Sequence, residues 1–188
     1  MDDIGLLQRA GRGDADAFSR LFARFQGPIF RYAAHMCGRA AADDVVQETF
    51  LAVLRQNGRY DANRGTVGNY LFGIARHCVF ARLSPRELTG FDVESDDAGG
   101  PSRTTGGADL LESLTRAETI DAVREAVAAL PAVYREVIVL CELQEMSYVS
   151  AAAIIECPIG TVRSRLHRAR ALLATKLSAV APPAAARG

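Results

Sequence analysis

Apolar residues recur at helical spacing along most of the chain, and this pattern predicts an all-α protein. In the first part we expect a break at Gly27–Pro28 and helices over 14–25, 29–37, 43–55 and 66–83. From Pro85 to Gly107 the chain is rich in Gly, Ser, Thr, Pro and Asp, so a flexible linker is expected. Helical periodicity returns near Leu110 and continues to Leu177.

This division predicts two small helical domains joined by a flexible linker, each with its own small core. We assign residues 1–84 to the amino-terminal domain and 85–115 to the linker. Residues 116–178 form the carboxyl-terminal domain, and 179–188 form a frayed tail.

The carboxyl-terminal domain contains a predicted helix-turn-helix between Ser147 and Leu177. Ser147 and Thr161 are suited to cap its two helices, and Pro158 interrupts them because proline lacks an N–H. One face of the second helix is an apolar stripe that must pack inward, formed by Val162, Leu166, Ala169, Leu173 and Leu177.

The same helix is strongly basic. Four arginines and a lysine lie between Thr161 and Leu177, without an acid. Such a helix is suited to lie along DNA phosphates, although a basic helix can also be a solvated face. The residues that point away from the apolar stripe, or flank it, are Arg163, Ser164, His167, Arg168 and Ala171.

A second informative pattern lies on the helix over 43–55. Its buried side is predicted to carry Val46, Thr49, Phe50 and Val53. The opposite side carries Asp44, Gln47, Glu48 and Leu51. A leucine in the middle of a polar face has the layout of a protein interface, with an apolar anchor inside a polar rim. Packing of Leu51 on a neighbouring loop explains the pattern equally well.

Composition and charge favour a soluble protein of a reducing, intracellular compartment. The sequence has no apolar run of about eighteen residues and its first residues do not resemble a signal peptide. The net charge is zero, but between Glu87 and Glu118 there are eight acids and only two arginines. The four cysteines and three histidines are scattered, so we expect no disulfide, no metal and no cofactor. No phosphate loop or nucleophile motif supports an enzyme.

Three segments in order resemble bacterial RNA polymerase sigma factors of the extracytoplasmic-function (ECF) group: DDVVQETFLAVL, then YDANRGTVGNYLFGIARH, then LPAVYREVIVLCELQEMSY with CPIGTVRSRLHRAR. The resemblance covers nearly all of both predicted domains. It implies a factor that binds core RNA polymerase in the cytoplasm and directs promoter-specific transcription initiation, without covalent chemistry or membrane insertion. It also implies a cognate anti-sigma factor that holds the protein inactive.

The resemblance assigns roles by position. The helix over 43–55 is expected to dock on the clamp of the largest polymerase subunit through Asp44, Gln47, Glu48 and Leu51. The stretch over 60–83 is expected to melt and bind the minus-ten element through Tyr60, Asn63, Arg64, Asn69, Arg76 and Arg82. The helix-turn-helix is expected to bind the minus-thirty-five element through Thr161, Arg163, Ser164, His167 and Arg168.

The chain also departs from the family's pattern. Ala81-Arg82-Leu83 stands where members carry an Asp followed by basic residues, which thins the positive charge of the minus-ten segment. Glu156 stands where a glycine commonly ends the first helix of the helix-turn-helix. A left-handed conformation at a glutamate costs about 1 kcal/mol. These changes favour a divergent member over a different fold.

Two other functions stay open. A regulator that binds only duplex DNA would need the helix-turn-helix but would give Leu51 no role. A sigma-like decoy would bind an inhibitory partner and never touch DNA. For the linker, we expect Glu94, Asp96 and Asp97 to imitate phosphate in a positively charged channel of the polymerase, with a merely solvated tether as the alternative.

Overall fold

The computed structural model describes residues 2–55, 59–84, 87–88 and 116–180. In these residues the regular structure is helical, which confirms the all-α prediction. The amino-terminal domain has α1 (Asp3–Gly11), α2 (Ala15–Cys37), α3 (Arg39–Arg55), a 3₁₀ turn (Ala62–Arg64) and α4 (Val67–Phe80). The carboxyl-terminal domain has α5 (Arg116–Ala128), α6 (Ala132–Ile138, continued by a π turn over Val139–Leu143), α7 (Tyr148–Ile155) and α8 (Ile159–Val180).

The predicted break at Gly27–Pro28 is wrong, because α2 runs through Pro28 to Cys37. Leu21, Ile29 and Tyr32 are fully buried on one side of this helix. Burial of a continuous apolar stripe offsets the roughly 3 kcal/mol that a proline costs inside a helix. The helix ends at Gly38, whose φ of 88° suits a residue without a Cβ.

The helix-turn-helix is formed by α7 and α8. The Ser147 cap is confirmed, because its side chain accepts from the Ser150 N–H at 3.1 Å. The Thr161 cap is wrong: α8 begins at Ile159, and the Pro158 carbonyl accepts from the Thr161 N–H at 2.9 Å. A proline before the first turn has a suitable φ and no donor to satisfy, so the helix begins three residues earlier than a Thr161 cap would give. Glu156 does adopt the left-handed conformation, with φ 59° and ψ 46°.

The two domains share one continuous core, contrary to our expectation of two separate cores. The buried cluster includes residues of α1 to α4 and residues of α6, α7 and α8. α4 packs against α7, and α2 packs against α5 and α6. The fold therefore brings the predicted minus-ten segment next to the carboxyl-terminal domain.

Parts of the sequence prediction lie outside the described residues. Glu94, Asp96 and Asp97 of the linker belong to this part, as does the end of the tail, 181–188. None of the described helices is both long and apolar enough to cross a membrane.

Candidate protein and nucleic-acid interfaces

The polar face of α3 is accessible to solvent. Leu51 is 38% exposed, and its polar neighbours Asp44, Gln47 and Glu48 are exposed as well. The opposite side is buried as predicted, at Val46, Thr49, Phe50 and Val53. Leu54, one turn beyond Leu51, is also exposed and lengthens the apolar strip. The two-sided character predicted for this helix is thus confirmed.

A groove of about 680 Å³ lies between α2 and α3 beside this face. Gln47 and Leu51 line it together with aromatic rings of α2. The ring of Phe50 lies 4.8 Å from that of Phe22 and 5.9 Å from that of Phe18, centroid to centroid. The groove was not predicted from the sequence, although Phe18 and Phe22, four residues apart on one helix, were a usable signal.

One residue of the α3 face is tied to the predicted minus-ten segment. Arg82 Nη2 lies 2.6 Å from Glu48 Oε1, and Arg82 Nη1 donates to the Cys78 carbonyl at 2.8 Å. The hydrogen bond from Arg82 lowers the pKa of Glu48, and the same bond raises the pKa of Arg82. The Arg82 guanidinium is therefore engaged by Glu48 and by the end of α4.

The start of the minus-ten segment is a compact turn. The Tyr60 hydroxyl donates to the Gly65 carbonyl at 3.0 Å, and the Tyr60 ring meets the Tyr70 ring edge to face at 5.6 Å. Asp61 accepts from both the backbone and the side-chain amide of Asn63, at 2.9 and 3.0 Å. These contacts hold two half-buried rings next to exposed amide donors, which is an arrangement able to stack and bind an unpaired base.

The beginning of α4 follows directly. Thr66 caps the helix by accepting from the Asn69 N–H at 3.1 Å, and the Asn69 side chain is half-buried. Arg64, just before this cap, is exposed. Both Arg64 and Asn69 line a cavity of about 240 Å³ that also includes Ala153 and Glu156 of the carboxyl-terminal domain. Arg64 Nη2 lies 3.6 Å from Glu156 Oε1.

Arg76 is directed at the carboxyl-terminal domain. Its Nε donates to Glu136 Oε1 at 2.8 Å, and its guanidinium lies 4.5 Å from the centroid of the Phe80 ring. The Arg76 side chain is only 21% exposed. Of the predicted minus-ten residues, Arg76 and Arg64 therefore both contact carboxylates of the other domain, and Arg82 contacts Glu48.

The basic face of α8, in contrast, is exposed to solvent. The side chains of Arg163, Ser164, His167 and Arg168 are exposed, and Thr161 is half-exposed. Val162, Leu166 and Ala169 are buried on the opposite side, as predicted. Within α8 there are five basic residues and no acid. One of them, Arg170, forms an ion pair with Glu142, which leaves the outward arginines as the accessible positive charge.

The described residues show no group of three or more His, Cys, Asp or Glu that could hold a metal ion. Cys37, Cys78, Cys141 and Cys157 are free and half-buried. Burial raises the pKa of the Cys37, Cys78 and Cys141 thiols, which favours their neutral form.

Two family descriptions match the chain in order along its length. Sigma-70 region 2 matches residues 21–85, and Sigma-70 region 4 matches residues 120–173. These spans contain α3, α4 and most of both α2 and the carboxyl-terminal domain.

Two proteins with similar sequences are RNA polymerase sigma factors. The ECF RNA polymerase sigma factor SigC of Mycobacterium tuberculosis is 34% identical over 175 residues, covering 90% of this chain and 88% of that protein. The ECF RNA polymerase sigma-E factor of Escherichia coli is 29% identical over 191 residues, covering 94% and 95%.

Solved structures agree with this fold. CnrH, in complex with the cytosolic domain of CnrY, has a TM-score of 0.69 at 26% identity and covers 96% of this chain and 99% of its own. The sigma factor RpoE of Bartonella quintana, in complex with the anti-sigma factor NepR, has a TM-score of 0.60 at 26% identity and covers 87% and 98%. With both sigma regions matched and a relative this similar over nearly its whole length, the chain belongs to the ECF RNA polymerase sigma factors.

Proposed function

We propose that this chain binds core RNA polymerase through the exposed face of α3 and directs promoter-specific transcription initiation in the cytoplasm. The observation that carries the proposal is the position of Leu51, 38% exposed among Asp44, Gln47 and Glu48. Covering an exposed leucine removes apolar area from water at about 25 cal/mol per Å². The polar residues around it exclude solvent and fix the orientation of the partner.

For the minus-thirty-five element, α8 is proposed to lie in the major groove. Arg163 and Arg168 have the reach and the charge to bind guanine edges or phosphates, and Ser164 and His167 lie between them. Thr161 lies in the first turn of the helix and is proposed to contact a phosphate, because helix N-termini bind anions. Support comes from the exposure of this face and from the absence of acids on α8.

For the minus-ten element, we propose that the turn before α4 holds an unstacked base and that α4 holds the strand. Tyr60 supplies a ring, and Asn63, Arg64 and Asn69 supply donors. Arg76 and Arg82 join them only after their ion pairs with Glu136 and Glu48 break.

A cognate anti-sigma factor is part of the proposal. Of the two solved structures described above, one is a complex with the cytosolic domain of CnrY and the other a complex with the anti-sigma factor NepR. Family membership favours an initiation factor over an enzyme. A decoy would have no use for the accessible arginines of α8, and a regulator of duplex DNA alone would have no use for an exposed Leu51.

The experiment is affinity purification of the full chain with core RNA polymerase, followed by run-off transcription from a genomic library. Leu51→Ala is expected to weaken polymerase binding by about 30-fold, the effect of losing one interface anchor of about 2 kcal/mol. Asp44→Ala should weaken it less, and Asp16→Ala, which removes an exposed acid at the start of α2, should have no effect. Equal binding by the native protein and Leu51→Ala contradicts the proposed docking face.

A further inference from the structure

Three acidic side chains are exposed on α3, and they differ in what holds them. These are Asp43, Asp44 and Glu48. Among the residues that the structure describes, neither Asp43 nor Asp44 forms an ion pair. Glu48 differs, because its Oε1 lies 2.6 Å from Arg82 Nη2, yet half of the Glu48 side chain is still exposed. Glu48 therefore belongs to the exposed α3 face and to an ion pair at the same time.

The backbone of Arg82 is fixed, while its side chain reaches back to α3. Arg82 lies two residues beyond α4, and its N–H donates to the Val79 carbonyl at 2.9 Å. The next residue, Leu83, is buried. Only the guanidinium joins the end of α4 to Glu48, which lies 34 positions earlier in the sequence. Release of Arg82 from Glu48 therefore needs a rotation of one side chain and no change in the packing of the helices.

An ion pair of this kind is open to competition. A pair that solvent reaches contributes little to stability, so a better placed charge on a partner is able to displace one of its members. The pair between Arg76 and Glu136 differs, because the Glu136 side chain has no exposed area and cannot be reached from solvent. Of these two pairs, the one between Glu48 and Arg82 is thus the one that a docking partner can break directly.

The two members of this pair are needed on two different surfaces. The proposed function places Glu48 against core RNA polymerase and Arg82 against minus-ten DNA. A basic group of the polymerase competes with Arg82 for the Glu48 carboxylate, and a DNA phosphate competes with Glu48 for the Arg82 guanidinium. Each binding event therefore removes a competitor of the other.

We propose that the ion pair between Glu48 and Arg82 links polymerase docking to minus-ten DNA binding. In the free protein, Glu48 withholds Arg82 from DNA, and Arg82 weakens the docking face by occupying Glu48. Docking transfers Glu48 to a basic group of the polymerase and releases Arg82 to bind a phosphate of the opened strand. This inference rests on the proposed docking through α3 and states how that surface is regulated.

The first test measures the affinity of the full chain for core RNA polymerase by biolayer interferometry. Arg82→Gln frees Glu48 and should bind about threefold more tightly than the native chain, a small factor because exposed ion pairs are weak. Arg82→Lys keeps a cation opposite Glu48 and should cancel most of this gain. Arg12→Gln removes an exposed arginine after α1, with the same change in net charge, and should bind like the native chain.

The gain has to act through Glu48. In a Glu48→Gln background, Arg82→Gln should no longer strengthen polymerase binding. In an Asp44→Asn background, which weakens the docking face without removing the partner of Arg82, the gain should remain. Native affinity for Arg82→Gln, or a gain that persists in the Glu48→Gln background, overturns the proposal. If circular dichroism shows that Arg82→Gln has not folded, the second test decides, because it leaves Arg82 intact.

The second test measures the effect of DNA on the same affinity. A single-stranded oligonucleotide of random sequence should strengthen polymerase binding by the native chain, since linked binding events are reciprocal. In Glu48→Gln this strengthening should be about threefold smaller. Asp16→Asn, which removes an exposed acid at the start of α2, should show the same strengthening as the native chain. An equal effect on the native chain and Glu48→Gln, or no effect on the native chain, overturns the link to DNA.

Failure of the proposed function gives a different result. If α3 is not the docking face, Leu51→Ala binds core polymerase as tightly as the native chain. If α3 is the docking face but the link is absent, Leu51→Ala weakens binding and Arg82→Gln leaves it unchanged.

Discussion

Helix α3 and helix α4 lie side by side in the amino-terminal domain, yet they present their proposed binding residues in opposite ways. On α3 the polar face with Leu51 is open to solvent. On α4 Arg76 is held by a carboxylate from the other domain, and just beyond the helix Arg82 is held by Glu48 of α3. A binding face on the outside of the fold is thus ready for a partner, whereas one that lies between domains must first be uncovered.

Removing one arginine from each kind of surface should have the largest difference in effect. Arg76→Met leaves Glu136 buried without its ion pair, and we expect the contact between the domains to lose about 3 kcal/mol. Arg168→Met, on the open face of α8, should change stability by less than about 0.5 kcal/mol. Urea denaturation followed by circular dichroism measures both. Equal midpoints for the two variants would show that Arg76 is no more constrained than a surface residue.

On the exposed face of α8, removal of an arginine should instead weaken binding to DNA. Arg168→Ala is expected to weaken binding to upstream duplex DNA by about tenfold or more, since one arginine contact to a base edge contributes about 1–3 kcal/mol. The matched variant Lys176→Ala, near the end of the same helix, should weaken binding less. Electrophoretic mobility shifts with polymerase-bound protein measure this, and a larger loss for Lys176→Ala would contradict the proposed orientation of α8.

A smaller effect is expected at the left-handed residue that ends α7. Glu156→Gly relieves the strain of φ 59° and should stabilise the carboxyl-terminal domain by about 1 kcal/mol. Glu156→Ala removes the same carboxylate but keeps the strain, so its melting temperature should stay near or below the native value. If glycine and alanine raised the melting temperature equally, loss of the carboxylate and not backbone strain would explain the gain.

The smallest effect should appear in the pH dependence of the free energy of unfolding. Glu48 and Glu136 are expected to change this stability in opposite directions as the pH falls. The hydrogen bond from Arg82 lowers the pKa of Glu48, so its stabilising contribution is present above the unfolded pKa and is lost as pH falls through the lowered value. Burial raises the pKa of Glu136, although Arg76, Tyr32 and Arg165 oppose the shift. Stability from Glu136 therefore increases as pH falls through its raised pKa towards the unfolded value.

Carboxyl resonances followed by nuclear magnetic resonance measure the two titrations directly. Glu136→Gln should abolish the increase in stability that accompanies protonation of this carboxylate as the pH falls, and Glu48→Gln should leave that increase intact. A Glu136 resonance that titrates below that of Glu48 would rule out a buried carboxylate at the domain contact.

The sequence predicted features that depend on one helix at a time. The two sides of α3 and the apolar stripe of α8 followed from helical spacing, because each helix buries a single face. The capping role of Ser147 followed from local backbone chemistry, and the left-handed Glu156 followed from the resemblance, since the family commonly has a glycine there. The functional roles of these faces came from resemblance to the sigma family and stay predictions.

Features that depend on two or more elements were missed. The continuity of α2 through Pro28 depends on burial against α3, which the Gly27–Pro28 pair does not reveal. The common core joins residues of both domains. The pairing of Arg76 with Glu136 joins residues that are 60 positions apart in the sequence. A signal was present, since Arg135 and Glu136 are two charges inside an apolar run, and such charges have to find partners when they are buried.

Docking through the α3 face is best measured by photo-crosslinking from position 51 of α3 to core RNA polymerase. A photoreactive amino acid in place of Leu51 should form a covalent adduct with the largest subunit, and the same amino acid in place of Arg12, an exposed residue after α1, should not. An adduct from position 12 alone, or none from position 51 in a protein that still binds polymerase, would contradict docking through the α3 face.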